Sequence, residues 1–216
     1  MEKLAEDQGC TVYMILLATY SILLSKYSGQ EDVIVGTPIA GRTHADLEAL
    51  LGMFVNTLAM RNYPASEKTF EEFLSEVKKN ALQAYENQDY PFEELVEKLN
   101  IPRDRSRNPL FDTMFVLENL GAEAQEDNTS SIAPDYQQTI AKFDLLLGIS
   151  VGKGQMSGAF QYCTRLFKKS MIDRLAKDYV QVLEDISQEP SKKLKDINLQ
   201  PVSKSKSLAK SVEFVF

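Results

Sequence analysis

From Val12 to Tyr27 the chain is apolar at nearly every position, interrupted only by Thr19, Ser21, Ser25 and Lys26. A helix with no polar face must be covered on several sides, and Thr11 before it and Gly29 after it supply an N-cap and a left-handed stop. Val33 to Ile39 predicts a strand, ended by Pro38, which cannot donate to a sheet ladder. A short helix over Ala45 to Leu51 and a second strand over Met53 to Met60 follow, and a crossover helix between two strands predicts parallel pairing. Thr69 and Glu72 have capping-box spacing, and behind them Phe70, Phe73, Leu74, Val77, Ala81 and Tyr85 fall on one helical face. Pro91 opens a further helix with Phe92, Leu95, Val96 and Leu99 at helical spacing. A strand follows at Leu110 to Leu117. Gly121 to Pro134 is acidic and aperiodic, as expected of a mobile loop. Phe143 to Val151 and Met156 to Tyr162 alternate about Gly152-Lys153-Gly154, which predicts an antiparallel hairpin. Met171, Ile172, Leu175, Tyr179, Val182, Leu183 and Ile186 form the apolar face of a last helix. The expectation is an α/β fold with a mixed sheet flanked by helices.

Composition narrows the picture. The chain has 216 residues, 44% hydrophobic and 25% charged, enough for one domain with a real core. The organisation expected is a folded unit over 1–187 and a linker-like or disordered tail over 188–216, where Lys and Ser accumulate. A net charge of −7 argues against nucleic acid and anionic membranes as partners. Thr11 to Leu24 is too short and too polar to span a bilayer, and no export leader is visible, so a cytoplasmic location is expected. Cys10 and Cys163 lack metal-ligand spacing and are read as reduced thiols without function. No metal is expected.

Two chemistries can be read from Gly36 to Thr43. The spacing is that of a phosphate-binding loop, G-x-x-x-x-G-K-[ST], with Arg42 in place of lysine. Against a nucleotide-binding function stand the rigid fork of Arg42 and the missing N–H of Pro38.

The other reading is a resemblance. Gly36-Thr-Pro-Ile-Ala-Gly-Arg42 resembles the GTP-x-AGR motif of condensation domains from nonribosomal peptide synthetases. Leu51-Gly-Met-Phe-Val-Asn-Thr-Leu-Ala-Met-Arg61, Asn87-Gln-Asp-Tyr-Pro-Phe-Glu93 and Arg103-Asp-Arg-Ser-Arg-Asn-Pro-Leu-Phe-Asp112 are similar, in order, to motifs of that family's C-terminal half. Tyr27 to Asp32, Lys142 to Leu145 and Leu166-Phe167 match weaker positions, so the resemblance covers residues 4–187. It implies a chloramphenicol-acetyltransferase-like (CoA-dependent acyltransferase-like) half-domain and a parent enzyme of peptide antibiotic biosynthesis. That enzyme joins carrier-bound aminoacyl or peptidyl thioesters through an amide bond. No cofactor is implied to bind directly; the 4'-phosphopantetheine arm of the carrier protein brings the substrate. The family's catalytic HHxxxDG motif lies upstream of GTP-x-AGR. The single histidine here, His44, follows Arg42 and has no such context. The chain is therefore expected to be a C-terminal lobe with no catalytic residue of its own, inactive alone.

The resemblance also implies roles. Arg42 is expected to clamp the aspartate of HHxxxDG in the other lobe, with a solvated strand-end arginine as the alternative. Asn56 and Thr37 are candidates for lining the substrate tunnel, although Asn56 reads equally as an amide satisfied by nearby backbone. Arg103, Arg105 and Arg107 are candidates for carrier-protein contact, or else a solvated loop with internal Arg–Asp pairing. Expected partners are an N-terminal condensation lobe, carrier proteins and adjacent synthetase modules, with self-association through the exposed lobe interface. A non-enzymatic docking module for a carrier or a lobe is the alternative function.

Overall fold

The computed structural model describes residues 1–42, 44–47, 49–101, 104, 107–119, 141–152, 155–199 and 212–214. Helix α1 (Glu2–Asp7) leads into α2 (Val12–Ser28), whose ten consecutive residues Met14 to Leu23 are buried. Thr11 accepts from the Met14 N–H and Gly29 closes the helix in the left-handed region, as its flanks predicted. The two aliphatic hydroxyls inside this apolar run fold back onto the helix: Thr19 donates to the Ile15 carbonyl and Ser21 to that of Leu17. Neither is left unsatisfied.

Helix α2 is covered by the sheet and by α3 (Phe70–Glu86) and α5 (Lys169–Gln188), both of which pack against it. Tyr179 of α5 donates to the Leu16 carbonyl, and Tyr27 of α2 donates to the buried Asp178, so polar tips as well as apolar faces tie the layer together. The predicted Thr69–Glu72 capping box forms in both directions.

The sheet is mixed and ordered β2-β1-β3-β4-β5-β6, with β1 Val33–Ile39, β2 Asn56–Asn62, β3 Thr113–Asn119, β4 Leu145–Gly152, β5 Gln155–Tyr162 and β6 Val212–Phe214. Strand β3 runs parallel to β1 and β4, and β4 and β5 form the expected antiparallel hairpin. The pairing expected of β1 and β2 is corrected: they are antiparallel, Val33 opposite Asn62 and Ile39 opposite Asn56. The reason is the connection. In place of a crossover helix over 45–51 there is one 3-10 turn, Ala45–Leu47, inside a wide loop that doubles the chain back.

The folded unit runs past the boundary expected at 187. The first free N–H groups of α3, those of Phe70 and Glu71, donate to the Lys192 and Pro190 carbonyls, and Leu194 and Ile197 are buried. Most of the expected tail, and the loop 121–134, lie outside the described residues.

Core residues Val33, Val35, Phe115, Leu147 and Ile149 all point to the helical side. Their neighbours on the opposite face meet thinner cover: α4 (Phe92–Lys98), none of whose residues is fully buried, and the chain leading to β3. There Phe111 packs against β1, and a Cβ added at Gly36 would overlap its ring. Gly36→Ala is expected to cost about 1–3 kcal/mol in urea unfolding, the usual range for overpacking. Combining it with Phe111→Leu should recover at least half of that loss. A neutral Gly36→Ala would contradict the packing.

Candidate functional site

Strand β1 delivers its motif to a loop built around one cation. At Gly41 the backbone turns through φ 63°, and a Cβ there would strike the Phe54 carbonyl as the loop returns. The Arg42 guanidinium lies 4.4 Å from the centroid of the Phe54 ring and donates to the carbonyls of Leu47 and, at 3.0 Å, Leu50. A planar fork can stack on a ring and bond carbonyls at its edge together. The Gly41-Arg42 pair and Phe54, 12 residues apart, thus form one unit. Phe54 was not singled out in the sequence; its signal is an aromatic residue inside the second motif. Arg42 fixes the loop while the loop's apolar side chains point outward: Leu51 is 103% exposed, Met53 94% and Val55 63%. His44 is exposed beside Asp46 and belongs to the 3-10 turn.

The phosphate-loop reading is corrected by the same geometry. Gly36 to Ile39 is strand, paired residue by residue with Ala59 to Asn56, so the backbone that would cradle phosphate is committed to a ladder.

Thr37 is buried on the helix-facing side of β1 and donates to the Phe115 carbonyl at 3.0 Å. Asn56 opens β2. Its amide nitrogen donates to the Gln88 and Tyr90 carbonyls at 2.8 and 2.9 Å, and its oxygen accepts from the Thr57 and Phe92 N–H groups at 2.9 and 3.3 Å. Both amide hydrogens are thereby engaged by the turn that carries the third motif.

The fourth motif borders a cavity of about 920 Å³ beneath α4, lined by Ile34, Phe92, Val96, Ile101, Leu110 and Phe111, with Glu93, Asp104, Arg107 and Asp112 among its polar residues. Phe92 and Phe111 pack with centroids 5.5 Å apart, and Phe111 stacks on Phe143 at 6.0 Å. Arg107 makes a two-pronged pair with Asp112, and Asn108 donates to the Lys142 carbonyl, binding this motif to the start of β4. Of the three arginines expected to meet a carrier protein, Arg107 is therefore half of an ion pair; Arg103 and Arg105 lie outside the described residues. Asp144, behind Asp112, was not anticipated. Burial and then the nearby Asp112 push its carboxyl above the ordinary aspartate value, with Arg107 opposing. Among the described residues no cluster of metal-ligating side chains occurs, and no helix is long and apolar enough to cross a membrane. Cys10 and Cys163 are half-buried and unbridged.

A family profile described as Condensation domain matches residues 1–209. This chain belongs to the condensation-domain family. It is 54% identical over 200 residues to gramicidin S synthase 2 of Aneurinibacillus migulanus, which covers 91% of the chain and 4% of that synthase. In structure it is similar to a holo four-domain nonribosomal peptide synthetase bound to AMP and glycine, with a TM-score of 0.81 at 24% identity over 93% of the chain and 16% of that protein. It is similar also to the condensation domain of the monacolin K polyketide synthase MokA, with a TM-score of 0.71 at 21% identity over 88% of the chain and 44% of that one. The fold is the chloramphenicol-acetyltransferase-like one of condensation domains. The chain spans only a small fraction of the synthetases it matches and less than half of the solved condensation domain.

The pair Asp112–Asp144 yields a signed expectation. A carboxyl whose pKa is raised on folding adds stability only below its unfolded value, about 3.9, and loses it as pH rises through the folded value. Asp144→Asn should therefore raise the melting temperature at pH 7 and leave it unchanged near pH 3.5. Melts at the two pH values check this; an equal gain at both would remove the ionisation argument.

Proposed function

We propose that this chain is the C-terminal lobe of a condensation domain that joins carrier-bound aminoacyl or peptidyl thioesters in nonribosomal peptide synthesis, and that it needs an N-terminal lobe for turnover. In the reaction the acceptor amine attacks the thioester carbonyl, the C–N bond forms as C–S breaks, and the thiol stays on the donor's phosphopantetheine arm. The amine's proton must be taken up. The reading assigns this to the HHxxxDG motif of the partner lobe, since the one histidine here is a surface turn residue.

The observation that carries the reading is the loop around Arg42. There a guanidinium held by two carbonyls and a ring fixes the returning loop, and beside it Leu51, Met53 and Val55 present an apolar strip of the kind that interfaces cover. Four motifs in register and the 44% coverage of a solved condensation domain support the same assignment. Arg42 is the residue proposed to hold the partner lobe's aspartate. Arg107, with Arg103 and Arg105, is the proposed carrier-protein contact, and the 4'-phosphopantetheine arm enters as substrate carrier. Thr37, expected to line the substrate tunnel, is instead buried with its hydroxyl bonded to the Phe115 carbonyl and has no part in the proposed site. Adjacent synthetase modules are the expected neighbours, a cytoplasmic synthetase the setting, and self-association through the strip the expected behaviour of the lone lobe.

The test is amide formation from donor- and acceptor-loaded carrier proteins. The chain alone should form none, and adding a lobe that carries HHxxxDG should restore turnover. In the pair, Arg42→Ala should lower turnover about tenfold or more, as loss of a charged hydrogen bond does, and Arg42→Lys should recover part of it. Product from the chain alone would refute the division of labour; unchanged turnover in Arg42→Ala would refute the clamp.

A further inference from the structure

Helix α4 has no cap of its own. The residue before it, Pro91, has neither a side-chain acceptor nor an N–H, and no local side-chain cap bond is made. The helix has seven residues, too few to be stable in isolation, and none of them is fully buried. What holds its start is Asn56, 36 positions earlier, whose oxygen takes the Phe92 N–H while its nitrogen holds the Gln88 and Tyr90 carbonyls in the turn before it. With Thr57 N–H as a fourth partner the amide's bonding capacity is filled. The linkage closes a circuit. Asn56 sets Phe92, Phe92 packs on Phe111, Phe111 lies on Gly36, and the strand bearing Gly36 pairs with Asn56 through Ile39. Phe92 and Val96 form one wall of the 920 Å³ cavity within that circuit, and the Arg107–Asp112 loop forms another.

We propose that Asn56 is a positioning residue, which caps α4 from across the sheet and thereby sets the cavity wall and the neighbouring carrier-facing loop. It acts through α4 and touches no reacting atom. The effect on condensation rests on the function proposed above; the effect on α4 does not.

Two substitutions separate the parts of the amide. Asn56→Ala removes every bond. Asn56→Asp keeps the acceptor for Phe92 and adds a negative charge at the helix start, but sets a carboxylate against two carbonyls. Hydrogen exchange on the 216-residue chain is the first readout. In Asn56→Ala the amides of Leu95 to Asn100 should exchange about five- to tenfold faster, the size of effect expected for a lost cap, while those of α2 change less than about twofold. In Asn56→Asp the α4 amides should stay protected. Steady-state condensation with an added N-terminal lobe is the second. Asn56→Ala should raise KM for the carrier-bound substrate about fivefold with kcat within about twofold, and Asn56→Asp should recover most of that KM.

Exchange at α4 within about twofold of the unsubstituted chain in Asn56→Ala overturns the proposal. If α4 loosens and KM stays the same, the functional half is overturned while the condensation reading stands. If the unsubstituted pair gives no product, that reading fails and exchange alone decides the cap. Should Asn56→Ala not fold, Asn56→Asp decides: loss of α4 protection there overturns the cap.

Discussion

The structure depends on the burial of the middle of α2, from Met14 to Leu23. A helix apolar on every side cannot sit at a surface, so it must be covered all round, which β1, β3 and β4 together with the packed helices α3 and α5 provide. Four polar side chains buried in this layer find partners. Thr19 and Ser21 bond within the helix, Tyr20 meets Thr113 at 2.5 Å, and Tyr179 finds the Leu16 carbonyl. One face of the sheet is thus fully used by the core, and whatever chemistry the domain supports has to be built at the strand ends and on the other face.

That second face is assembled differently. Its cover consists of a short helix, a loop and single aromatic rings, held by bonds that cross long stretches of sequence. Arg42 and Asn56 play related parts in it. The guanidinium gathers the loop that returns to Phe54, and the amide gathers the turn that begins α4. Both replace secondary structure that the local sequence does not supply, and each leaves an exposed or hollow surface beside it: the Leu51–Val55 strip in one case, the cavity in the other.

Membership in the condensation-domain family accounts for the order of the motifs, and the structure shows why they travel together. The first and second motifs meet at Gly41, Arg42 and Phe54; the second and third meet at Asn56 and the Gln88–Phe92 turn; the third and fourth meet at Phe92 and Phe111. Motifs separated in the chain are neighbouring walls of one region. Electrostatics there is local: Arg107 with Asp112 in front of Asp144, a charge arrangement that none of the motifs announces individually.

Features that depend on near neighbours were legible in the sequence. The buried α2 with its Thr11 and Gly29 ends, the Thr69–Glu72 capping box, the amphipathic α3 and α5 and the β4–β5 hairpin follow from periodicity and from bonds spanning a few residues. The mixed α/β class and the motif resemblance were legible too. The antiparallel pairing of β1 and β2 was not, because it turns on whether residues 40–55 form a helix or a loop. That choice is made by Arg42 stacking on Phe54 and bonding the Leu47 and Leu50 carbonyls. Nor could sequence decide between the two readings of Asn56, because an amide reveals its role only through its partners, and three of its four lie 32 to 36 residues away. Local pattern determined which elements exist; long-range hydrogen bonds and ring contacts, invisible to any short window of sequence, decided how their ends meet.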